Sequence, residues 1–143
     1  MQTQREEVEF FGHPMVRSAH RNTIEVTRDA ELTARGDCII GVRADKGPAD
    51  FSKAIRECLM DDRSEVLLAI LVEPEEFVVR ATGSSKLSLT DPHEMVVRKS
   101  EFISARTVAI RADSAARDIP RSIVEELRDP ARRGLLRIEV RVR

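Results

Sequence analysis

Two stretches of the chain place apolar residues at the spacing of an amphipathic helix. PADFSKAIRECLMDD has the stripe Phe51, Ala54, Ile55, Cys58 and Leu59. RDIPRSIVEELRDP has the stripe Ile119, Ile123 and Leu127, and Pro130 bars continuation of the helix. The pattern predicts helices at about 50–60 and 118–128, with Asp50 and Asp118 capping their first turns.

Apolar runs on both sides of each helix predict strands. LLRIEVRVR alternates apolar and charged residues, which is typical of a half-exposed strand, whereas VLLAILV is apolar on both faces and needs a cover on each. That cover is a helix, the other half of the chain or a second subunit. Further strands are predicted at DCIIGVRA, RTVAIRA, VEFF (8–11), TIEVT (23–27), EFVVR (76–80), KLSLT (86–90) and EMVVR (94–98).

The two helical segments belong to a longer repeat. Residues 39–72 align with residues 107–140 at a constant offset of 68, and twelve of the thirty-four aligned positions are identical. Two copies are too few for an open solenoid. We therefore predict a single domain over 1–143, α+β but mostly β. Its duplicated β-β-α-β halves, about 12–72 and 80–143, should form one sandwich-like or barrel-like unit with two helices.

The composition is that of a globular chain, with 41% hydrophobic and 34% charged residues. No apolar run approaches the roughly 20 residues that span a bilayer, and the first residues lack a signal-peptide pattern, so we expect a cytoplasmic protein with reduced thiols. Many charges and few amides favour a thermophile, although an arginine-rich genome explains the 20 Arg against 4 Lys equally well.

Net charge differs between the two parts of the chain. Residues 1–94 carry 12 basic and 18 acidic side chains, a balance of −6, and residues 95–143 carry 12 basic and 7 acidic, a balance of +5. Such asymmetry can steer anions toward one end of the protein, or it can reflect surface ion pairs that are simply interleaved.

Three stretches resemble a known family. GHPMVRSAHRNTIEVT, LTARGDCIIGVRADKG and MVVRKSEFISARTVAIRADSAA are similar to the archaeal domain-of-unknown-function family 371. The resemblance covers nearly the whole chain and implies a mainly-β, sandwich-like fold, an archaeal source, a cytoplasmic location and an unassigned function. Met15 stands where the family usually has Asn, and Ser114 stands where its second Ala-Asp is usually followed by Lys. The resemblance therefore implies no role for that second lysine here, whereas the lysine after the first Ala-Asp is present as Lys46.

Recognised catalytic and metal-binding signatures are absent from the sequence: it contains no GxGxxG, phosphate loop, HExxH, CxxC or GxSxG. Three histidines, His13, His20 and His93, with carboxylates are a possible zinc set. The alternative is that His13 belongs to a Gly-His-Pro turn and His20 bonds backbone at the start of a strand. We predict no metal and no cofactor.

Arginine-rich turns are the strongest candidate for a site. Arg35-Gly36-Asp37 and Arg98-Lys99-Ser100 occupy similar places in the two halves, and the planar guanidinium suits phosphate or carboxylate. Alternatively, Arg35 pairs with Asp37, or Arg98 with Glu101. We expect one anion site, not two, with these ligand-binding residues: His20, Arg35, Asp37, Lys46, Arg98, Ser100 and Arg106.

The repeated Arg-Ala-Asp is better explained by structure. Asp45 and Asp113 each follow a predicted strand, where a carboxylate can accept backbone N–H groups of the connecting loop. Lys46 beside Asp45 is of more interest, because the aligned residue is Ser114 and the repeat does not require a lysine.

Two classes of function follow from these residues. The first is a non-enzymatic binding module for an anionic partner, either a phosphate-bearing small molecule or RNA. With five Phe and no Tyr or Trp, RNA contact is expected through phosphates more than stacking. The second is a small enzyme with a polar site of His20, Arg35, Asp37, Lys46 and Arg98. Self-association through Val66–Val72 is a third expectation.

Overall fold

The strands form two four-stranded sheets in the computed structural model, which describes residues 2–32 and 36–143. The first sheet is antiparallel throughout and contains β1 (Gln2–Phe11), β4 (Ser64–Val72), β5 (Glu75–Thr82) and β8 (Arg133–Val142), in the order β1-β8-β4-β5. The second contains β2 (Thr23–Thr27), β3 (Ile39–Gly41), β6 (Glu94–Arg98) and β7 (Thr107–Ala109), in the order β3-β2-β6-β7. Its central pair β2–β6 is antiparallel, and its outer pairs β2–β3 and β6–β7 are parallel.

Two short bridges join the edges of the sheets. Phe11 at the end of β1 pairs with Val42 just after β3, and Thr82 at the end of β5 pairs with Ile110 just after β7. Each bridge has two backbone hydrogen bonds, of 2.8 Å at the first and 2.9 Å at the second. The two sheets are therefore linked at both edges into one mostly-β domain with two helices, which confirms the predicted fold class.

Asp45 and Asp113 extend these bridges. Asp45 accepts the N–H of Glu9 and donates its own N–H to the Glu9 carbonyl, both at 3.0 Å. Asp113 does the same with Arg80, at 3.1 and 2.9 Å. Both carboxylates accept a backbone N–H as predicted, but the donor lies in a strand of the first sheet and not in the connecting loop.

The core lies between the two sheets. Alternate residues of β2 and β6 point inward, because successive side chains of a strand face opposite sides. They pack against the inward residues of β4, β5 and β8 with almost no space left between them. The residues at this contact are Ile24, Val26, Met95, Val97, Leu68, Ile70, Val79 and Leu136.

Both predicted helices are present but shorter than expected: α1 (Lys53–Leu59) and α2 (Arg121–Glu126). A 3-10 turn precedes each one, at Pro48–Asp50 and Ala116–Asp118. The buried residues of α1 are Ile55, Cys58 and Leu59, and those of α2 are Ile123 and Val124.

The predicted caps are wrong. Asp50 accepts the Gly47 N–H at 2.9 Å and therefore closes the 3-10 turn, not the helix. Asp118 closes the second turn through the Ala115 N–H at 2.8 Å. Ser52 caps α1 instead, because its hydroxyl accepts the Ile55 N–H at 3.3 Å.

KLSLT (86–90) is not a strand, which corrects the prediction from its alternation. Leu87 and Leu89 are buried as that pattern requires, but Leu89 has φ = 54°, a left-handed conformation that interrupts extended backbone. The strands before the helices are also shorter than DCIIGVRA and RTVAIRA suggest. Left-handed Arg43 and Arg111, with φ of 52° and 53°, turn the chain just after each bridge.

Several local geometries recur at the offset of the sequence repeat, including the Arg43 and Arg111 turns, the Asp45 and Asp113 contacts and the two 3-10 turns. That the two halves superpose as wholes stays a prediction.

One face of β4 packs into the core, and its other face turns outward between β8 and β5. On that outer face Ala69 is buried, while Leu67 and Leu71 are half-buried among charged neighbours such as Arg137 and Glu139. Self-association through Val66–Val72 stays a prediction. Within the described residues, neither helix has the length and apolar character needed to cross a membrane.

Candidate functional site

A group of polar side chains lies on the outer face of the β2–β6 pair. Because Ile24 and Val26 point into the core, Glu25 between them points outward, as do Glu94 and Arg98 on β6. Cys38 and Arg106 immediately precede β3 and β7. We refer to the following residues as the polar cluster: Glu25, Cys38, Glu94, Arg98, Arg106 and Thr107.

Glu25 is the most unusual member, because a carboxyl group in the middle of a strand is only 4% exposed. Arg106 Nη1 donates to Glu25 Oε1 at 3.2 Å and to Glu94 Oε2 at 3.3 Å. A single guanidinium nitrogen therefore bridges two carboxyl groups, one from each central strand.

The pKa of Glu25 is raised to about 8. Burial is the main cause, since removal from water disfavours the charged form, and the hydrogen bond and negative charge of Glu94 act in the same direction. Arg106 and Arg98 lower this pKa, but by less. Glu25 is therefore mostly protonated at neutral pH, and the two carboxyl groups share one negative charge between them.

Cys38 contacts the same carboxyl group. Its thiol donates to Glu25 Oε1 over 3.9 Å. Burial, followed by the negative charge that Glu25 carries above its own pKa of about 8, raises the pKa of the thiol to about 11. The nucleophile is the thiolate, so Cys38 is not activated for covalent catalysis.

Arg98 is held by hydroxyl groups. Its Nε donates to Thr107 Oγ1 at 3.0 Å, and its Nη2 donates to Ser104 Oγ at 3.3 Å. Its Cζ atom lies 4.9 Å from the centre of the Phe102 ring. Burial and the positive charge of Arg106 lower the pKa of Arg98. Within the described part of the chain, no carboxylate is close enough to Arg98 to form an ion pair.

Comparison with known proteins places this chain in a family. The model of the family described as a domain of unknown function (DUF371) matches residues 8–141, nearly the whole chain. The chain belongs to this family. Over 118 residues it is 39% identical to the uncharacterized protein MJ0206 of Methanocaldococcus jannaschii. The aligned segment covers 82% of this chain and 87% of the relative. The DUF371 resemblance predicted from the sequence is confirmed, and this relative is archaeal.

In this DUF371 chain the structure brings two of the predicted site residues together. Arg106 lies close enough to Arg98 for its positive charge to act on that guanidinium. Asp37 precedes Cys38, and its charge acts on that thiol. Ser100 is at the margin, where its hydroxyl accepts the Phe102 N–H at 3.3 Å. Arg35 lies outside the described residues.

Lys46 does not join the polar cluster. Its Nζ lies 2.8 Å from Glu6 Oε2 on β1, in the other sheet. The second oxygen of Glu6 accepts the Ser52 N–H at 3.1 Å, so this pair ties the start of α1 to β1. Its twin in the repeat, Ser114, bonds to the adjacent Asp113.

His20 takes the structural role that was the alternative to zinc binding. Its Nδ1 accepts the N–H groups of Asn22 and Thr23 at 3.1 and 3.2 Å, at the start of β2. Across the described residues, no group of three or more His, Cys, Asp or Glu is placed to hold a metal ion. The alternative pairing of Arg98 with Glu101 is wrong, because Glu101 pairs with Arg111.

The sequence reasoning missed Glu25, Glu94, Cys38, Ser104, Thr107 and Phe102 as members or neighbours of the site. The available signal for Glu25 was a single carboxylate inside TIEVT. The signal for Phe102 was its position in KSEFISAR. The segment before Arg-Ala-Asp has 20 residues in the second half (91–110) against 15 in the first (28–42).

Two surface cavities lie away from the cluster. One of about 350 Å³ is lined by residues that include Asp62, Lys86, Glu101 and Arg111. The other, of about 300 Å³, lies on the outer face of the first sheet near Arg80 and Glu139. Both carry acids and bases side by side, which makes neither a clear anion site.

Proposed function

We propose that the protein is a non-enzymatic binding module that holds an anionic partner by its phosphate groups, at Arg98 and Arg106. A guanidinium has five N–H donors in a planar fork that matches phosphate oxygens. Hydroxyl groups such as those of Ser104 and Thr107 orient the guanidinium of Arg98 without neutralising its positive charge.

One observation carries this proposal: Arg98 is half-buried, and its hydrogen bonds go to two neutral hydroxyls. Other arginines of the protein, such as Arg5, Arg63 and Arg111, are paired with a carboxylate. A partly desolvated charge next to a second positive charge is stabilised when an anion supplies the missing partner.

The protonation of Glu25 supports the same proposal. Below its pKa of about 8, Glu25 is neutral, so Glu94 is the one carboxylate set against Arg98 and Arg106. The cluster then carries about one excess positive charge at neutral pH, which favours an anionic ligand.

Calorimetric titration with tripolyphosphate tests the proposal. We expect about one bound anion per chain, and Arg98→Ala should cost roughly 1.5–3 kcal/mol of binding free energy because its hydrogen bonds are to a charge. Arg111→Ala is the matched control: this arginine is exposed and already paired with Glu101, so its loss should leave binding nearly unchanged.

Thermal unfolding separates the proposal from a structural role for Arg98. The proposal expects Arg98→Ala to remain folded, with only a small decrease in melting temperature. If wild-type protein binds no tripolyphosphate, the proposal is wrong. If Arg98→Ala unfolds the protein, Arg98 stabilises the fold and is not free to bind a ligand, and the proposal is also wrong.

The second candidate function is a small enzyme, and Glu25 is the observation that favours it. Two carboxyl groups with one raised pKa are an arrangement that general acid–base catalysis uses. A phosphate-ester turnover assay with wild type and Glu25→Gln tests this candidate. Turnover that is lost in Glu25→Gln, with tripolyphosphate binding retained, favours the enzyme; no turnover in wild type favours the binding module.

A further inference from the structure

We propose that the anionic partner is single-stranded RNA. One base of the RNA stacks on Phe102, and basic side chains on neighbouring loops hold the phosphates of its backbone. This inference rests on the proposed function and names its partner. Two independent features of the surface carry it: an exposed aromatic ring, and a group of exposed basic residues on loops that hydrogen-bond to one another.

Phe102 has an aromatic side chain that is 63% exposed, a higher fraction than Met15, Met60 or Val78. The guanidinium of Arg98 lies against the ring, 4.9 Å from its centre, and holds it in place by a cation–π contact. Because most of the ring remains exposed, a second planar group can stack on it. A nucleobase has the flat π surface that such a platform takes.

Basic side chains continue from this platform across three loops. Lys99 follows Arg98, and its N–H donates to the Asn22 carbonyl at 2.8 Å, which places it beside Arg21. The Arg117 N–H donates to the His20 carbonyl at 3.0 Å, and Arg121 Nη2 donates to the Ser18 carbonyl at 2.8 Å. We call these four exposed residues the basic line: Arg21, Lys99, Arg117 and Arg121.

Two acidic residues, Asp37 and Asp118, border the four basic residues of the basic line; the Asp37 carbonyl accepts the N–H groups of Ala19 and His20. Residues 12–24 contain no Asp or Glu. Asp118, next to Arg117, directs its carboxylate to the Ala115 N–H. Lysine and arginine side chains that neutralise phosphates release condensed counterions, which is the main source of affinity for a nucleic-acid strand.

A single strand fits these features better than a duplex. In a duplex the faces of the bases are already stacked, and an aromatic ring on a protein surface cannot reach them. In a single strand each base can turn out onto a platform while its backbone follows the positive side chains. One ring stacks one base, so we expect weak sequence preference.

Fluorescence anisotropy with three probes tests this inference: a labelled oligouridylate of about 12 nucleotides, an abasic ribose-phosphate strand of the same length, and an RNA duplex. Wild-type protein should bind the oligouridylate roughly tenfold more tightly than the abasic strand, the range expected for one stacked base. Phe102→Ala should remove that difference, and Phe102→Tyr should keep it.

Charge variants test the basic line. The double variant Lys99→Gln/Arg117→Gln should weaken binding of both single strands and reduce the salt dependence of binding. Lys53→Gln is the matched control, since Lys53 is an exposed lysine on α1 paired with Glu57. It should bind as wild type does.

The outcomes separate this inference from the proposed function. Equal binding of oligouridylate and abasic strand by wild type, or tighter binding of the duplex, overturns the RNA inference and leaves phosphate binding at Arg98 intact. An unchanged difference in Phe102→Ala also overturns it. Failure of wild type to bind either tripolyphosphate or the abasic strand refutes the proposed function as well.

Discussion

Glu25 on β2 is in contact with Arg106, just before β7, and the distance between Glu25 Oε1 and Arg106 Nη1 is 3.2 Å. The contact has the geometry of an ion pair, yet Glu25 is mostly protonated at neutral pH because burial and Glu94 outweigh the guanidinium. The pair therefore acts as a hydrogen bond to a neutral acid below about pH 8 and as an ion pair above it.

The first prediction concerns stability and pH. Folding raises the pKa of Glu25 from 4.5 to about 8, so the folded protein holds one more proton than the unfolded chain between these values. The contribution of protonated Glu25 to the free energy of unfolding is therefore complete below about pH 4.5 and is lost as pH rises toward 8. Urea unfolding at about pH 5 and pH 8 should show this loss in wild type but not in Glu25→Gln, which has no proton to release.

Glu57→Gln is the control for that prediction, because Glu57 is 65% exposed on α1. Its unfolding free energy should follow the wild-type pH dependence. A pH profile of Glu25→Gln that is identical to wild type would show that Glu25 titrates normally in the folded protein.

The second prediction concerns Thr107, which is fully buried. Its Oγ1 accepts both Arg98 Nε and the Ser104 N–H at 3.0 Å. Thr107→Val keeps the shape but removes the acceptor, so two donors lose their partner, and we expect a loss of about 1–3 kcal/mol in unfolding free energy. Thr107→Ser keeps the hydroxyl and should lose less; equal losses in both variants would assign the effect to packing alone.

Cys38 provides the third prediction. A thiol pKa of about 11, against an ordinary value of 9.0, leaves roughly a hundredfold less thiolate at neutral pH. Alkylation of the native protein by iodoacetamide, followed by mass spectrometry of the Cys38 peptide, should be slower than in the urea-unfolded chain by about that factor. Comparable rates in the two states would contradict the burial of this thiol.

The fourth prediction concerns Gly41. A Cβ at this position would lie 2.0 Å from the ring of Phe10, which is fully buried between Gly41 and Gly134. Gly41→Ala should destabilise the protein by about 1–3 kcal/mol through overpacking. The double variant Gly41→Ala/Phe10→Leu should lose less stability in thermal unfolding than the sum of the two single losses, and strictly additive losses would mean that the ring is not the obstacle.

The sequence predicted best where the pattern is local. The apolar stripes of α1 and α2 and the alternation of β8 are fixed by neighbours within a few residues, and all three elements are present. The prediction of a strand at KLSLT was wrong. Its alternate leucines are buried, but Leu89 adopts a left-handed backbone conformation, which leucine rarely does.

The candidate site was harder to predict because its contacts connect distant parts of the chain. Lys46 was assigned to the site because the repeat does not require a lysine at this position, whereas its partner Glu6 is 40 residues away. Glu25 was overlooked because an outward position in a strand is normally solvated. Its partner Arg106, 81 residues away, cannot be read from TIEVT. Arg98 was found because Arg98-Lys99-Ser100 and Arg35-Gly36-Asp37 occupy similar places in the two halves, and Arg106 because it lies close by in the sequence.

The contacts of Asp45 and Asp113 also bear on solubility at high concentration. A strand at the edge of a sheet offers unpaired N–H and C=O groups to any other chain, which invites aggregation. On β1, the outward groups of Glu9 and Phe11 are taken by Asp45 and Val42, and on β5 those of Arg80 and Thr82 are taken by Asp113 and Ile110. The ends of both edge strands are thus occupied by the chain itself, so this part of each edge is closed to a neighbouring molecule.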